Sequence, residues 1–269
     1  MRRLKKRILA YLGYKMKTVL CEIHQGIAIL TLNRPEVRHA FNEVMIAELL
    51  TVLKSIATND EVHVMVLQST GPVFCAGADL AWMQKMVDYT PAENQADARQ
   101  LAELMHTLYT LNKPTIALVQ GDAYGGGVGL IACCDIVIAQ PKVQFCFSEV
   151  KLGLSPSVIS PYIIRAIGLR QAQRYFLTAE TFDAKTAQHL GLVHICAVDE
   201  NAFHAEAEAI VQQLLNNGPE ALAQTKTLLE HNVPITQELI DYTIQHIAAL
   251  RTSPEGQTRI KAFLCSKKY

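Results

Sequence analysis

The sequence predicts an α/β protein with covered sheets that continues into a helical C-terminal region. Strand-like and helical patterns alternate repeatedly before residue 200, and such alternation is typical of helices packed on sheets. Beyond about residue 200, apolar residues recur almost entirely at helical spacing. The chain has 269 residues, of which 50% are hydrophobic, so it can bury a large core.

The first predicted elements are a β-hairpin, a helix and a strand. Val19–His24 and Ile27–Leu32 have strand patterns, and Gln25-Gly26 joins them as a turn. Asn42 is placed to cap a helix, because apolar residues at helical spacing begin three residues later. A buried-type strand, His63–Gln68, follows.

The middle of the chain repeats this alternation. The polar stretch from Asp88 to Gln100 leads into a helix through Leu101 and Leu108, which ends at Lys113-Pro114. A short helix is predicted between the glycine run at 125–127 and Cys134. The strands predicted here are Thr115–Gln120, Asp135–Ala139 and Val143–Phe147.

Three regions are expected along the chain. Residues 1–15 are basic at the start and form an N-terminal extension, disordered or helical, because a strand pattern begins just after Met16. Residues 16–200 form the α/β core, which ends with a strand-like Val193–Val198. Residues 201–269 form a helical module in which Pro219 and Pro234 separate helices at about 201–216, 219–231 and 235–250.

Charge and cysteine content exclude several classes of function. Lys plus Arg and Asp plus Glu both number 25, so no net field favours nucleic acid or an anionic membrane. No stretch reaches the roughly 18 apolar residues of a membrane span. The seven cysteines lack C-x-x-C spacing, which predicts reduced thiols in a soluble cytoplasmic protein with no metal site.

The segment Val73–Leu80 is the first candidate site. Small residues run directly into a helical pattern, and small side chains let a ligand approach the backbone. If Asp79 opens a helix at Leu80, the N–H groups near Ala78 have no partner within the helix. Those groups can donate to a developing negative charge.

The segment Gly121–Leu130 is the second candidate. No Lys-Ser/Thr follows its glycines, so it does not match a phosphate-binding P-loop. Gly127, Gly129 and Ala132 fit a loose G-x-G-x-x-A, but the segment is not in the first strand-turn-helix unit, where a dinucleotide site is expected. A helix N-terminus with a bare backbone remains as a second donor.

Four ordered motifs carry a resemblance to a known family. They are Leu32-Asn33-Arg34-Pro35 with Ala40-Phe41-Asn42, Phe74–Leu80, Gly121–Asp135 and Phe145–Gly153. In these motifs, and over roughly residues 17–265, the chain resembles the enoyl-CoA hydratase/isomerase (crotonase) family. The resemblance implies a crotonase-like spiral of ββα turns, a homotrimer or dimer of trimers, and an acyl-CoA thioester substrate. It implies no cofactor beyond the coenzyme A of that substrate.

The resemblance also implies catalytic roles. Backbone N–H groups of Ala78 and Gly126 match the family's oxyanion hole, whose donors stabilise an enolate oxygen selectively. Glu149 matches one of the two glutamates that family hydratases usually carry. The other is absent, because its position is Gly129. One carboxylate can still take a proton from water or from Cα and return it.

The same family resemblance implies which residues contact the substrate. Arg34, Arg38 and His39 are expected near coenzyme A, with the Ala76 backbone as an adenine contact. The other expected substrate contacts are Ala78, Asp79, Leu80, Tyr124, Gly126, Gly129, Pro156 and Ser157. The segments 125–135, 148–154 and 160–168 resemble bacterial methylglutaconyl-CoA hydratases of leucine breakdown, in which the first glutamate is also absent.

Three functions are therefore weighed. The first is hydration of a branched enoyl-CoA, with 3-methylglutaconyl-CoA as the expected substrate. The second is a Δ3,Δ2-enoyl-CoA isomerase, which needs only Glu149 and is favoured by Gly129. The third is a catalytically weak crotonase-fold binding protein, with RNA as one candidate ligand, although the zero net charge opposes RNA binding.

Overall fold

The computed structural model describes residues 12–266, and the side chains of 12–15 are outside that description. The strands are β1 Leu12–Lys15, β2 Val19–His24, β3 Ile27–Leu32, β4 Val64–Ser69, β5 Val73–Cys75, β6 Thr115–Val119, β7 Asp122–Tyr124, β8 Ile136–Ala139, β9 Gln144–Cys146, β10 Phe182–Asp183 and β11 Ile195–Cys196. The helices are α1 Glu43–Thr58, α2 Leu80–Val87, α3 Pro91–Tyr109, α4 Gly126–Cys133, α5 Ser160–Thr178, α6 Ala184–Leu190, α7 Glu200–Leu215, α8 Pro219–Asn232, α9 Gln237–Thr252 and α10 Pro254–Ser266.

Two sheets organise the strands. The larger sheet has the order β1-β2-β3-β4-β6-β8-β11, and the smaller has the order β10-β9-β7-β5. The pairs β1/β2, β2/β3 and β9/β10 are antiparallel. The strands from β3 to β11 in the larger sheet are parallel to one another, as are β5, β7 and β9.

The strand order confirms the predicted spiral of ββα turns. Each turn places one strand in the larger sheet, the next in the smaller sheet, and then a helix: β4 and β5 precede α2, β6 and β7 precede α4, and β8 and β9 precede α5. Because every turn repeats this route, the ends of β5, β7 and β9 lie side by side. The segments that follow these strands carry the three expected catalytic residues, Ala78, Gly126 and Glu149.

Both faces of the larger sheet are buried at its central parallel strands. On β4, Met65 and Leu67 join the main core, whereas Val64 and Val66 join a second cluster. Successive side chains of a strand point to opposite faces, so this alternation separates the two clusters. The second cluster is covered by α7 through residues such as Phe203. A parallel sheet is usually buried on both faces in this way.

The N-terminal boundary differs from the expectation. Residues 12–15, assigned to the extension, form β1 and pair with β2 in antiparallel register, Leu12 opposite Ile23. The ladder bonds of an added edge strand favour this arrangement over a helix or a disordered tail. The expectation for residues 1–11 lies outside the described residues.

The C-terminal helices fold back over the turns of the spiral. Helix α9 packs against α3, and α10 packs against α2 and against a 3₁₀ turn at Glu149–Leu152. An ion pair from Arg99 of α3 to Asp241 of α9, at 3.3 Å, joins the first pair of helices. Within residues 12–266, no helix is long and apolar enough to cross a membrane.

Candidate active site

A pocket of about 160 Å³ lies where the loops after β5, β7 and β9 meet the C-terminal helices. Six of the predicted site residues contribute to its wall: Ala76, Ala78, Gly126, Glu149, Pro156 and Ser157. The sequence did not identify the rest of the wall, which is mainly apolar. Its members from α2, α3, α9 and α10 are Trp82, Met83, Met86, Leu101, Ile247, Arg251, Ile260 and Phe263.

The backbone at Ala78 is oriented by a bridge to Phe41. The Phe41 N–H donates to the Gly77 carbonyl at 2.7 Å, and the Asp79 N–H donates to the Phe41 carbonyl at 2.8 Å. Backbone groups of extended chain alternate in direction, so the intervening Ala78 N–H points away from Phe41. Ala78 is exposed and lines the pocket. Its N–H is therefore available to a ligand there.

Gly126 begins α4, and its N–H has no acceptor within that helix. The turn into the helix depends on Gly125, whose φ of 51° and ψ of −121° are open almost only to glycine. A Cβ on Gly126 would lie 3.1 Å from the Phe41 ring. Phe41 therefore supports both candidate donors, one through its backbone and one through its ring.

Glu149 follows β9 and opens the 3₁₀ turn. Its Oε2 is buried and has no hydrogen-bond partner among the described residues. Burial raises the pKa of this carboxyl to about 7, because charge is disfavoured away from water. Its Oε1 lies 2.9 Å from where a Cβ on Gly125 would be. A side chain at position 125 would collide with the Glu149 carboxyl, so the glycine leaves room for it.

Other side chains fill the space that a glutamate at position 129 would need. A Cβ on Gly129 would lie 2.2 Å from Cγ2 of Ile159 and 3.3 Å from Cε of Met105. Ile159 lines the pocket, whereas Gly129 is buried behind it. The expectation that Gly129 contacts the substrate is therefore wrong, because Ile159 occupies the intervening space.

Arg34 and Asp79 form an internal ion pair, which corrects their assignment to the substrate. Arg34 Nη2 lies 2.7 Å from Asp79 Oδ2, and Nη1 donates to the Ala40 carbonyl. Asp79 Oδ1 accepts N–H groups of Ala81 and Trp82 and so caps α2. This confirms that Asp79 opens the helix at Leu80. Both side chains hold the Ala78 loop in place.

The His39 side chain is buried and does not line the pocket, which speaks against its expected contact with coenzyme A. The side chain is 1% exposed. Its Nδ1 accepts the Arg34 N–H at 2.9 Å, and its Nε2 donates to the Thr70 carbonyl at 2.6 Å. Burial lowers the pKa of the imidazole, which favours the neutral form that these two bonds require.

The remaining expected contacts differ in position. Arg38 is exposed, and its carbonyl accepts the Ala76 N–H at 3.0 Å, which leaves the Ala76 carbonyl as the group that could accept from adenine. Leu80 is 42% exposed, on the first turn of α2. Tyr124 ends β7 next to Gly125. None of Arg38, Leu80 and Tyr124 belongs to the pocket wall.

A buried polar cluster on the pocket wall escaped sequence reasoning. Arg251 of α9 lies 2.6 Å from Asp97 Oδ2, and the Trp82 indole N–H donates to Asp97 Oδ1 at 3.0 Å. Nothing in the local sequence of α9 distinguishes Arg251 from a surface arginine. Only the packing of α9 on α3 brings it to the pocket.

Solved structures with this fold define the class of protein. A crystal structure of an enoyl-CoA hydratase from Shewanella pealeana superposes with a TM-score of 0.78 and 43% sequence identity, covering 93% of this chain and 94% of that one. An enoyl-CoA hydratase from Bacillus halodurans gives a TM-score of 0.86 at 24% identity, covering 91% of this chain and 100% of that one. At such low identity the second likeness establishes the fold alone.

The sequence comparisons define the family. The model of the enoyl-CoA hydratase/isomerase family matches residues 22–262. The 2,3-dehydroadipyl-CoA hydratase of Escherichia coli is 29% identical over 93% of this chain and 96% of its own length. The chain belongs to the enoyl-CoA hydratase/isomerase family. It is an enzyme of the hydro-lyase type, acting on an acyl-CoA thioester.

Proposed function

We propose that the protein hydrates a branched α,β-unsaturated acyl-CoA, with 3-methylglutaconyl-CoA of leucine breakdown as the substrate. The observation that carries this proposal is the Glu149 carboxyl, buried and without a described partner on the wall of the pocket. A pKa of about 7 suits a group that both accepts and donates a proton at neutral pH.

The mechanism uses one carboxylate twice. Glu149 takes a proton from water as the water oxygen bonds to Cβ of the enoyl group. The double-bond electrons move to the thioester oxygen, where the Ala78 and Gly126 N–H groups hold the enolate charge. Glu149 then gives its proton to Cα. The product has gained one water, and the enzyme returns to its starting state.

The packing of Gly129 supports a single-carboxylate mechanism. Ile159 fills the space into which a side chain at 129 would extend, so no second acid is available from α4. The wall instead carries an apolar side chain there, suited to a methyl branch on the substrate. The acyl group itself is inferred from the resemblance of the motifs to methylglutaconyl-CoA hydratases.

Assembly and location complete the proposal. We infer a homotrimer or dimer of trimers from the same resemblance. The seven cysteines, all within the described residues, are free, which supports a reducing compartment such as the cytoplasm.

Arg38 and the Ala76 carbonyl are the proposed coenzyme A contacts.

Turnover in heavy-oxygen water tests the proposal. The substrates are 3-methylglutaconyl-CoA, the linear crotonyl-CoA and a trans-3-enoyl-CoA, with mass analysis of the products. We expect labelled 3-hydroxyacyl products and a higher kcat/KM for the branched substrate. Conversion of the trans-3-enoyl-CoA to an unlabelled trans-2 product alone would identify an isomerase. Binding of all three without turnover would identify a binding protein.

A further inference from the structure

We propose that Arg251 binds a carboxylate at the far end of the acyl chain, so that the substrate class is the monothioester of an unsaturated dicarboxylic acid. This inference rests on the proposed function, because it assigns the specificity of the same pocket. Only Arg251 and Glu149 are charged among the described residues of the pocket wall.

Arg251 lies in an environment that is costly for an unpaired charge. It is 6% exposed, and the wall around it carries Trp82, Met83 and Ile247. A buried guanidinium requires acceptors for its N–H groups. The described residues supply one side-chain acceptor, Asp97 Oδ2, at 2.6 Å from Nη1.

Asp97 holds the Arg251 guanidinium in place but binds it through one oxygen atom only. One carboxylate oxygen binds Arg251 and the other accepts the Trp82 indole N–H at 3.0 Å. Because Asp97 uses a single oxygen for Arg251, the pair is not bidentate. The guanidinium has five N–H donors in a fork that matches a carboxylate, and Asp97 Oδ2 is the one side-chain acceptor bonded to it among the described residues, so its other N–H groups can turn to a ligand in the pocket.

Glu149 and Arg251 line the same pocket, and their chemistry suits two different ends of one substrate. The reacting end has Glu149, whose charge repels an anion, and the N–H groups proposed to hold the thioester oxygen. The apolar walls from α2, α9 and α10 suit a short hydrocarbon. A chain that carries a thioester at one end and a carboxylate at the other satisfies both ends.

The experiment compares two thioesters that differ only in this group. In 3-methylglutaconyl-CoA the terminal group is a carboxylate, and in 3-methyl-2-pentenoyl-CoA it is a methyl group. We expect the wild type to favour the carboxylate substrate in kcat/KM by about 10- to 100-fold, as charge-assisted bonds of arginine do. Arg251→Gln combined with Asp97→Asn should remove most of that preference without leaving an unpaired buried charge.

Two further variants define the role of the residue. Arg251→Lys keeps the charge but loses the fork, so we expect an intermediate preference. Arg170→Gln, an exposed arginine on α5, is the matched control and should keep the wild-type preference. An unchanged preference in the Arg251→Gln/Asp97→Asn protein would show that Arg251 only ties α9 to α3.

A binding measurement separates this inference from the proposed function. The saturated analogues 3-methylglutaryl-CoA and 3-methylpentanoyl-CoA cannot be hydrated, so calorimetry reports their affinities whether or not the protein is a hydratase. Tighter binding of the carboxylate analogue, lost in the double variant, supports the subsite even if hydration fails. Equal affinities for the two analogues in the wild type overturn the subsite even if hydration is observed.

Discussion

At the scale of single residues, the burial of Glu149 sets the pH dependence of the reaction. Only the ionised carboxylate can take a proton from water, and burial raises its pKa to about 7. We therefore expect kcat/KM for hydration to increase as the pH rises through about 7. A rate profile that is flat between pH 5 and pH 8 would exclude Glu149 as the base.

The same raised pKa predicts an effect on stability. The folded protein binds the Glu149 proton more tightly than a carboxyl with the ordinary value of 4.5, so this contribution is complete below pH 4.5 and is lost as the pH rises through 7. Glu149→Gln has no such loss. Relative to wild type, its free energy of unfolding should increase by on the order of 3 kcal/mol between pH 4.5 and pH 8. Denaturant unfolding at both pH values measures the difference, and parallel changes would contradict it.

Residue patterns predicted backbone sites better than side-chain contacts. The loops with Ala78, Gly126 and Glu149 do line one pocket, because small residues at strand ends show where a ligand can approach. Arg34, His39 and Asp79 turn inward instead. A charged side chain in a loop can serve the loop or a ligand equally well, and only its partners in the folded chain decide between them.

At the scale of elements, the contact between α4 and the segment before α5 determines which side chains position 129 allows. Gly129→Ala would bring Cβ to 2.2 Å from Ile159 Cγ2, and such overpacking typically costs about 1–3 kcal/mol. We expect that loss in the free energy of unfolding. Combined with Ile159→Ala, it should cost less than the two single changes added together, which a double-mutant cycle measures.

Gly218→Ala is the matched control for this prediction. Its Cβ would meet only Ala221 Cβ, at 3.8 Å, an ordinary contact, and its φ is −67°. The change should therefore cost less than about 1 kcal/mol. Additive effects at 129 and 159 would mean that α4 moves away from Ile159 at little cost.

Element boundaries were predictable where local signals are strong. β2 and β3 have the predicted bounds, and the Asn42 side chain accepts the Met45 N–H as an N-cap. Helix α3 begins at Pro91, well before the predicted apolar stretch, and the capping box of Thr90 and Glu93 was the signal available for it. The two-residue strands β10 and β11 depend on tertiary pairing, which no local pattern reveals.

At the scale of the whole molecule, the surface of α8 bears on assembly. No described residue of this helix is buried, and Leu228, Leu229 and the following Val233 are 58–61% exposed. Exposed apolar residues close together in the chain favour a contact between proteins when they form one patch. We expect light scattering at micromolar concentration to give at least three times the 29.8 kDa of one chain, and a monomeric mass would contradict this.

The pocket is a property of the whole chain, which is why its composition was only partly predictable. Its edge with Ala78, Gly126 and Glu149 comes from the spiral, and part of its apolar wall comes from α9 and α10, more than 80 residues further on. The sequence predicted that helical module but not where it docks. Docking depends on contacts such as Arg251 with Asp97, across 154 residues.

One buried carboxylate carries both proton transfers in the proposed mechanism, and Glu149→Gln tests this most directly. Steady-state hydration of 3-methylglutaconyl-CoA would be measured beside binding of its saturated analogue, with the exposed Glu206→Gln as the matched control. We predict a loss of about 10²- to 10⁴-fold in kcat for Glu149→Gln, the usual contribution of general acid–base catalysis, with binding retained. Hydration at near wild-type rate by Glu149→Gln would contradict the claim, because the proton would then come from another group.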